Sequence, residues 1–199
     1  MSISSPENKK LKKIGIYGGS FDPIHHGHLI LAREAREALD LERIIFVPAA
    51  VSPFKGRAPA ASGEARLAML RAAIEGEEGF EIDECELRRP PPSWTIDTVE
   101  QIQKREPEAE LYLLVGEDNV ATLSQWRRFD DLKKLVRFVV LDRTGSETPR
   151  DYRVVRRKID ISATNIRKRV ARGQSIRYLV PQAVEKIIRR QNLYREQLQ

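Results

Sequence analysis

Eleven residues near the start constrain the fold more than any other stretch: Gly18-Gly19-Ser20-Phe21-Asp22-Pro23-Ile24-His25-His26-Gly27-His28. An apolar run precedes them, and residues 13–17, with Ile14, Ile16 and Tyr17, read as a strand. Residues 27–39 read as a helix with Leu31, Ala35, Ala38 and Leu39 on one face and Arg and Glu opposite. Gly18 and Gly19 let the backbone come close to a ligand, and the new helix aims free N–H groups and its positive dipole end into the same space. Such a strand–turn–helix is an anion site where a parallel α/β sheet keeps its ligand, or else simply a turn. All three histidines of the chain fall here, as donors that stay useful near neutral pH. His25 and His28 could instead pair on zinc at i, i+3. Zinc needs three or four ligands, however, and Cys85 is the sole cysteine.

The chain's 199 residues suit one domain with a core of its own. The longest apolar run, residues 44–51, is too short to span a bilayer, and the first residues lack a signal-peptide pattern. One cysteine forms no internal disulfide, so a cytoplasmic location is expected. The net charge of +6 is unevenly spread: +3 over residues 1–13, −7 over 14–149, +8 over 150–177 and +2 over 178–199. A local basic segment suits a polyphosphate as well as a nucleic acid. Residues 1–12, polar and lysine-rich, read as a flexible basic tail ahead of one domain over 13–199.

Residues 43–47, 111–115 and 137–141 are continuous apolar runs of the kind buried in parallel sheets. Residues 80–87 and 154–161 read as further strands, the first nearer an edge. Between them lie helices: one to about residue 74 capped by Ser62, with Leu67, Leu70, Ala73 and Ile74 apolar, and one capped by Thr95 and stopped by Pro107. A third, capped by Ser162, ends at Gly173, and a last one has Pro181 at its first position. This alternation predicts a doubly wound parallel α/β sheet.

Lys55, in a Pro-rich loop after the second strand, is a cation able to reach a phosphate or a solvated surface lysine. Asp97 fits the first turn of its helix, and Trp94 before it is a staple or a site residue. Gly116 at a strand end permits close backbone approach, and Asp118 is placed to accept ribose hydroxyls or to start a helix. Trp126 is a core anchor or a stacking plate for a flat heterocycle. Ser162, Thr164 and Arg167, with the helix N–H groups, make a second anion pocket or a capped basic helix.

The Gly18 to His28 stretch resembles the signature of the HxGH nucleotidyltransferases, and Ile161-Ser162 with Thr164 and Arg167 resembles its second half. Within that group the chain, from about residue 13 to Tyr194, resembles the bacterial nicotinate-nucleotide adenylyltransferases. The matching pieces include Pro48, Pro53 and Lys55; Ser93, Trp94, Thr95, Asp97 and Thr98; Gly116 with Asp118; Leu123 with Trp126; and residues 176–181. It departs at Trp94, where Tyr is commoner, and at Thr144, where Pro is usual. The resemblance implies a Rossmann-like single domain with a C-terminal helical segment, transferring AMP from ATP to nicotinate mononucleotide with release of pyrophosphate.

On that resemblance His25, His28, Lys55 and Arg167 serve catalysis. ATP meets Gly18, Gly19, Ser20, Phe21, Gly27, Gly116, Asp118, Ile161, Ser162 and Thr164. The mononucleotide meets Lys55, Trp94, Thr95, Asp97 and Trp126. Mg²⁺ is carried by ATP and pyrophosphate, with no protein metal ligands. Expected partners are the two substrates, with a homo-oligomer admitted and neither nucleic acid nor membrane. The rivals are pantetheine-phosphate adenylyltransferase, which shares both signature halves, a class I tRNA synthetase fragment, and a nucleic-acid-binding module using residues 150–177.

Overall fold

The computed structural model describes residues 11–51, 58–145 and 151–195. Lys55 and Pro53 lie outside them, as do residues 1–10 of the expected tail. Six strands form one parallel sheet: β1 (Lys13–Gly19), β2 (Arg43–Pro48), β3 (Phe80–Ile82), β4 (Glu110–Gly116), β5 (Val136–Asp142) and β6 (Arg153–Arg156). Their order is β3-β2-β1-β4-β5-β6, so the winding reverses between β1 and β4. Side chains of successive residues leave opposite faces of a strand. Ile14 and Ile16 accordingly join one core with Ile45, Val47, Leu113 and Val140, while Tyr17 joins the other with Ile44, Phe46, Leu114 and Leu141. The doubly wound sheet expected from the apolar runs is what forms.

The Tyr17 face is covered by α1 (His26–Leu39), α2 (Gly63–Ile74), α6 (Ala163–Ala171) and α7 (Gln182–Arg190), through Leu31, Met69, Ile166, Val184 and Ile188 among others. The Ile16 face is covered by α3 (Cys85–Arg88), α4 (Thr95–Arg105) and α5 (Phe129–Leu135), with 3-10 turns over Glu117–Gln125. Ser62 and Ser162 cap α2 and α6, each hydroxyl accepting the amide three residues on at 3.2 Å.

Five local expectations are corrected. β3 stops at Ile82 because the Asp83 carboxylate accepts the Cys85 amide at 2.9 Å, turning the chain into α3. β6 stops at Arg156; beyond it Ile159 N–H donates to the Arg143 carbonyl, past the end of β5. Trp94, not Thr95, caps α4, and Pro181 caps α7 rather than opening it. On α2, Leu67 is only half-buried, while Arg66 is 2% exposed. No helix among the described residues is long and apolar enough to cross a membrane.

Candidate active site

A crevice of about 520 Å³ opens at the carboxyl ends of β1 and β4, where the strand order reverses. Its walls bring together Gly18, Gly19, Ser20, Phe21, His25, His28, Trp94, Thr95, Gly116, Asp118, Trp126, Ser162, Thr164 and Arg167. Expected site residues up to 149 positions apart in the chain thus meet at one place. Gly27 and Ile161 stand behind the wall instead. A Cβ on Gly27 would lie 3.0 Å from the His25 ring and 3.5 Å from the Ile161 carbonyl, so glycine lets the starts of α1 and α6 close on one another. Asp97 is in the first turn of α4, away from the wall.

The two converging helix starts carry the electrostatics. Helices α2, α3, α4, α5 and α7 each hold an acidic residue in the first turn, whereas α1 and α6 hold none. An acid there would satisfy the helix dipole internally; without one, the N–H groups and partial positive charge remain for an anion. Gly18 beside them meets nothing within 4 Å where its Cβ would be, so packing does not demand glycine there. A Cβ on Gly116 would lie 2.5 Å from Asp118 Oδ1, so that side chain would have to swing aside.

His25 and His28 stack at 3.7 Å between ring centroids, and the His28 ring meets the edges of Phe21 and Tyr17. The His25 amide donates to His28 Nδ1 at 3.3 Å. Neutral His28 therefore carries its proton on Nε2, a hydrogen-bond donor. His25 is 1% exposed, and burial, reinforced by Arg143 and His26, pushes its imidazole down to about 3. It is a neutral ring at working pH.

That depression has a stability consequence. The unfolded chain takes up a proton at His25 near pH 6.5, whereas the folded chain refuses it until about pH 3. Stability rises with pH wherever the unfolded state binds more protons, so folding loses stability as pH falls from about 6.5 and the loss ends near 3. Between pH 7 and 4.5 the wild type should lose about 2 kcal/mol more than His25→Gln. Parallel slopes of unfolding free energy against pH in the two proteins would refute the assignment.

At the second end of the crevice, Trp94 and Trp126 pack one side against the Ile16-face core and line the wall with the other. Arg127 lies over the Trp94 ring at 5.3 Å. Trp126 is thus core on one side, and its other side faces the crevice. Ser93 anchors this end, its hydroxyl accepting the Ala50 amide at 3.2 Å.

A cytidylyltransferase-like family profile matches residues 16–169. A relative from Shouchella clausii bearing the name probable nicotinate-nucleotide adenylyltransferase is 43% identical over 187 residues, covering 92% of this chain and 97% of its own. One of the same name from Gemmatimonas aurantiaca is 45% identical, covering 92% and 93%. The chain belongs to the nicotinate-nucleotide adenylyltransferase family. Its fold is shared with the Plasmodium falciparum nicotinic acid mononucleotide adenylyltransferase complexed with NaAD, at a TM-score of 0.79 and 19% identity over 94% of this chain and all of that one.

Sequence reasoning missed three residues of the crevice wall, Asp22, Arg127 and Arg143, and the buried Arg66. Arg143 follows β5 and donates to the Ile161 carbonyl at 3.2 Å, which places a guanidinium beside His25. Its signal was its place at a strand's carboxyl end, the same one that marked Gly116. Arg66 had no signal: it sits in a helix whose apolar periodicity passes it over.

Proposed function

We propose that the crevice transfers AMP from ATP to nicotinate mononucleotide, giving deamido-NAD and pyrophosphate, in the service of NAD biosynthesis. The observation that carries this reading is the convergence of two helix starts without first-turn acids on one crevice whose other end is walled by two tryptophans. The first is a seat for a triphosphate, the second for a flat heterocycle.

The chemistry asks little covalent work of the protein. An oxygen of the mononucleotide phosphate attacks the α-phosphorus of ATP in line, and the bond from that phosphorus to the bridging oxygen breaks, releasing pyrophosphate. Rate comes from holding the two phosphates together and offsetting the charge that builds on the leaving group. His28, through Nε2–H, and the amides of α1 donate to the triphosphate, with Arg167 and Lys55 adding positive charge. Ser162, Thr164 and the start of α6 hold the phosphates from the other side, and Gly116 and Asp118 face the adenosine. Trp126 stacks on the pyridine ring, with the main chain at Trp94 and Thr95 against its carboxylate.

Among the described residues no group of three or more His, Cys, Asp or Glu side chains gathers to hold a metal. The crevice carboxylate of Asp22 is already taken by two amides and a hydroxyl. Mg²⁺ carried by the triphosphate would offset charge on the leaving pyrophosphate.

The test is pyrophosphate release with ATP and, side by side, nicotinate mononucleotide, nicotinamide mononucleotide and phosphopantetheine. Release with the first, and little with phosphopantetheine, is expected; preference for phosphopantetheine would overturn the reading. In the same assay Trp126→Ala should raise the KM for the mononucleotide about tenfold or more while changing the KM for ATP less than threefold. Equal effects on both substrates would remove Trp126 from the pyridine.

A further inference from the structure

Two distant segments hydrogen-bond the carboxylate of Asp22, which is 5% exposed, and further segments are tied in around it. Its Oδ2 accepts the Ala60 amide at 2.7 Å, and its Oδ1 accepts the Ala61 amide at 3.1 Å and the Tyr194 hydroxyl at 2.8 Å. Arg167 donates to the Asp22 main-chain carbonyl at 2.6 Å, while its guanidinium stays 3.8 Å from Oδ2, beyond hydrogen-bonding range. Beside them Arg66 donates to the carbonyls of Ser20 and Ala49, both at 2.8 Å, and to that of Ala61 at 3.3 Å. The β1–α1 loop, the segments flanking residues 52–57, the start of α6 and the chain after α7 are therefore tied at one point.

Tyr194 takes no part in the adenylyl-transfer chemistry. It lies past the end of α7, 172 positions from Asp22, and its ring is 6% exposed. Its φ of 65° is in the left-handed region, as is that of Asn192 at 52°. For a bulky residue that conformation is strained, and it persists only where the surroundings over-determine it. The hydroxyl bond to Asp22 is the directional contact that rewards the bend. Burial, and then the negative charge and acceptor bond of Asp22, push the phenol far above its ordinary value, so Tyr194 remains a donor at any working pH.

We propose that Tyr194 is a positioning residue for adenylyl transfer: by fixing the Asp22 side chain it sets the Asp22 carbonyl that aims Arg167 at the phosphates. Arg167 is oriented by a carbonyl at its shortest bond, with the Asp22 carboxylate as a looser ion partner at 3.8 Å. If Asp22 turns, Arg167 loses its shortest bond and the amides of Ala60 and Ala61 lose their acceptor together. A misplacement of about 1 Å in a phosphate-aligning group slows reaction without abolishing binding. The proposal rests on the adenylyltransferase reading above.

The test is a double-mutant cycle on the full chain with ATP and nicotinate mononucleotide. Tyr194→Phe keeps the ring and removes one hydroxyl. It should lower kcat about tenfold, leave both KM values within twofold, and keep the folded signal at the assay temperature. In an Arg167→Ala background the same change should alter kcat less than twofold, because the group being aimed is gone. A fall by the same factor in both backgrounds, or an unchanged kcat with only a lower Tm, would reduce Tyr194 to a structural residue and overturn the proposal. If Tyr194→Phe does not fold, Tyr194→Met, which also fills the space without a donor, is read in the same cycle. A wild type inactive on these substrates would instead overturn the functional reading on which the cycle depends.

Discussion

His28→Ala should lower kcat at least a hundredfold while the circular dichroism spectrum stays that of the wild type. His28 is in the first turn of α1, in the crevice wall, with its ring edged by Phe21 and Tyr17 and stacked on His25. Because Nδ1 accepts the His25 amide, the ring is locked in orientation and its one proton is on Nε2. A preorganised donor aimed where charge builds on a transferring group is worth about a hundred- to a thousandfold in turnover. The structural cost is small by comparison. One amide loses an acceptor in a half-buried place, about 1 kcal/mol, and Phe21 keeps its contacts with Tyr17 and Phe46. Turnover within threefold of wild type would remove His28 from the transition state. Loss of the folded signal would make the histidine a capping residue first.

The second large effect is on stability. Arg66→Ala should lower the unfolding free energy by about 3–5 kcal/mol, a fall in Tm of about 10 °C for a chain of this length. Arg66 is among the largest fully buried side chains, and burial pulls its guanidinium below the ordinary arginine value, with Asp22 and then Tyr194 partly restoring it. Its three carbonyl bonds join the β1–α1 loop, the end of β2 and the entry to α2. Alanine leaves those carbonyls without their donor and opens a cavity among them. Arg66→Met separates the two costs, since it refills most of the volume and restores no bond. Thermal and urea unfolding of both variants check the prediction. A Tm within 3 °C of wild type for Arg66→Ala would show that the loops hold themselves.

Much of the site was legible because its signals are local. A Gly-Gly turn between an apolar run and an amphipathic stretch names a strand–loop–helix, and a serine before a helix names its cap through a hydroxyl that reaches only three residues ahead. Gly116, Asp118, Ser162, Thr164 and Arg167 were read in the same way, from strand ends and helix starts, and all of them line the crevice. Where local signals compete, the reading failed. Residues 80–87 have the composition of a strand, yet the Asp83 side chain captures the Cys85 amide and turns the chain after Ile82. Thr95 is the better capping residue by type, but α4 begins from Trp94, whose ring packs on the core and meets Arg127.

The sequence alone determined the alternation of buried strands and amphipathic helices, the phosphate-type turn at residues 18–28, the second anion motif at 161–167 and the family to which they point. All of these depend on interactions within about four residues, or on a pattern repeated every two or every 3.6 residues. Only the tertiary structure decided which of these motifs share a crevice, that α1 and α6 meet behind Gly27, and that Arg143 joins them. It alone decided that a buried arginine and a tyrosine near the far end of the chain hold the loops in place. The bonds on Asp22 close separations of 38, 39, 145 and 172 residues. No local periodicity encodes such contacts. They form because a polar group carried into the core by the packing of the sheet must find its partners there or leave the fold destabilised.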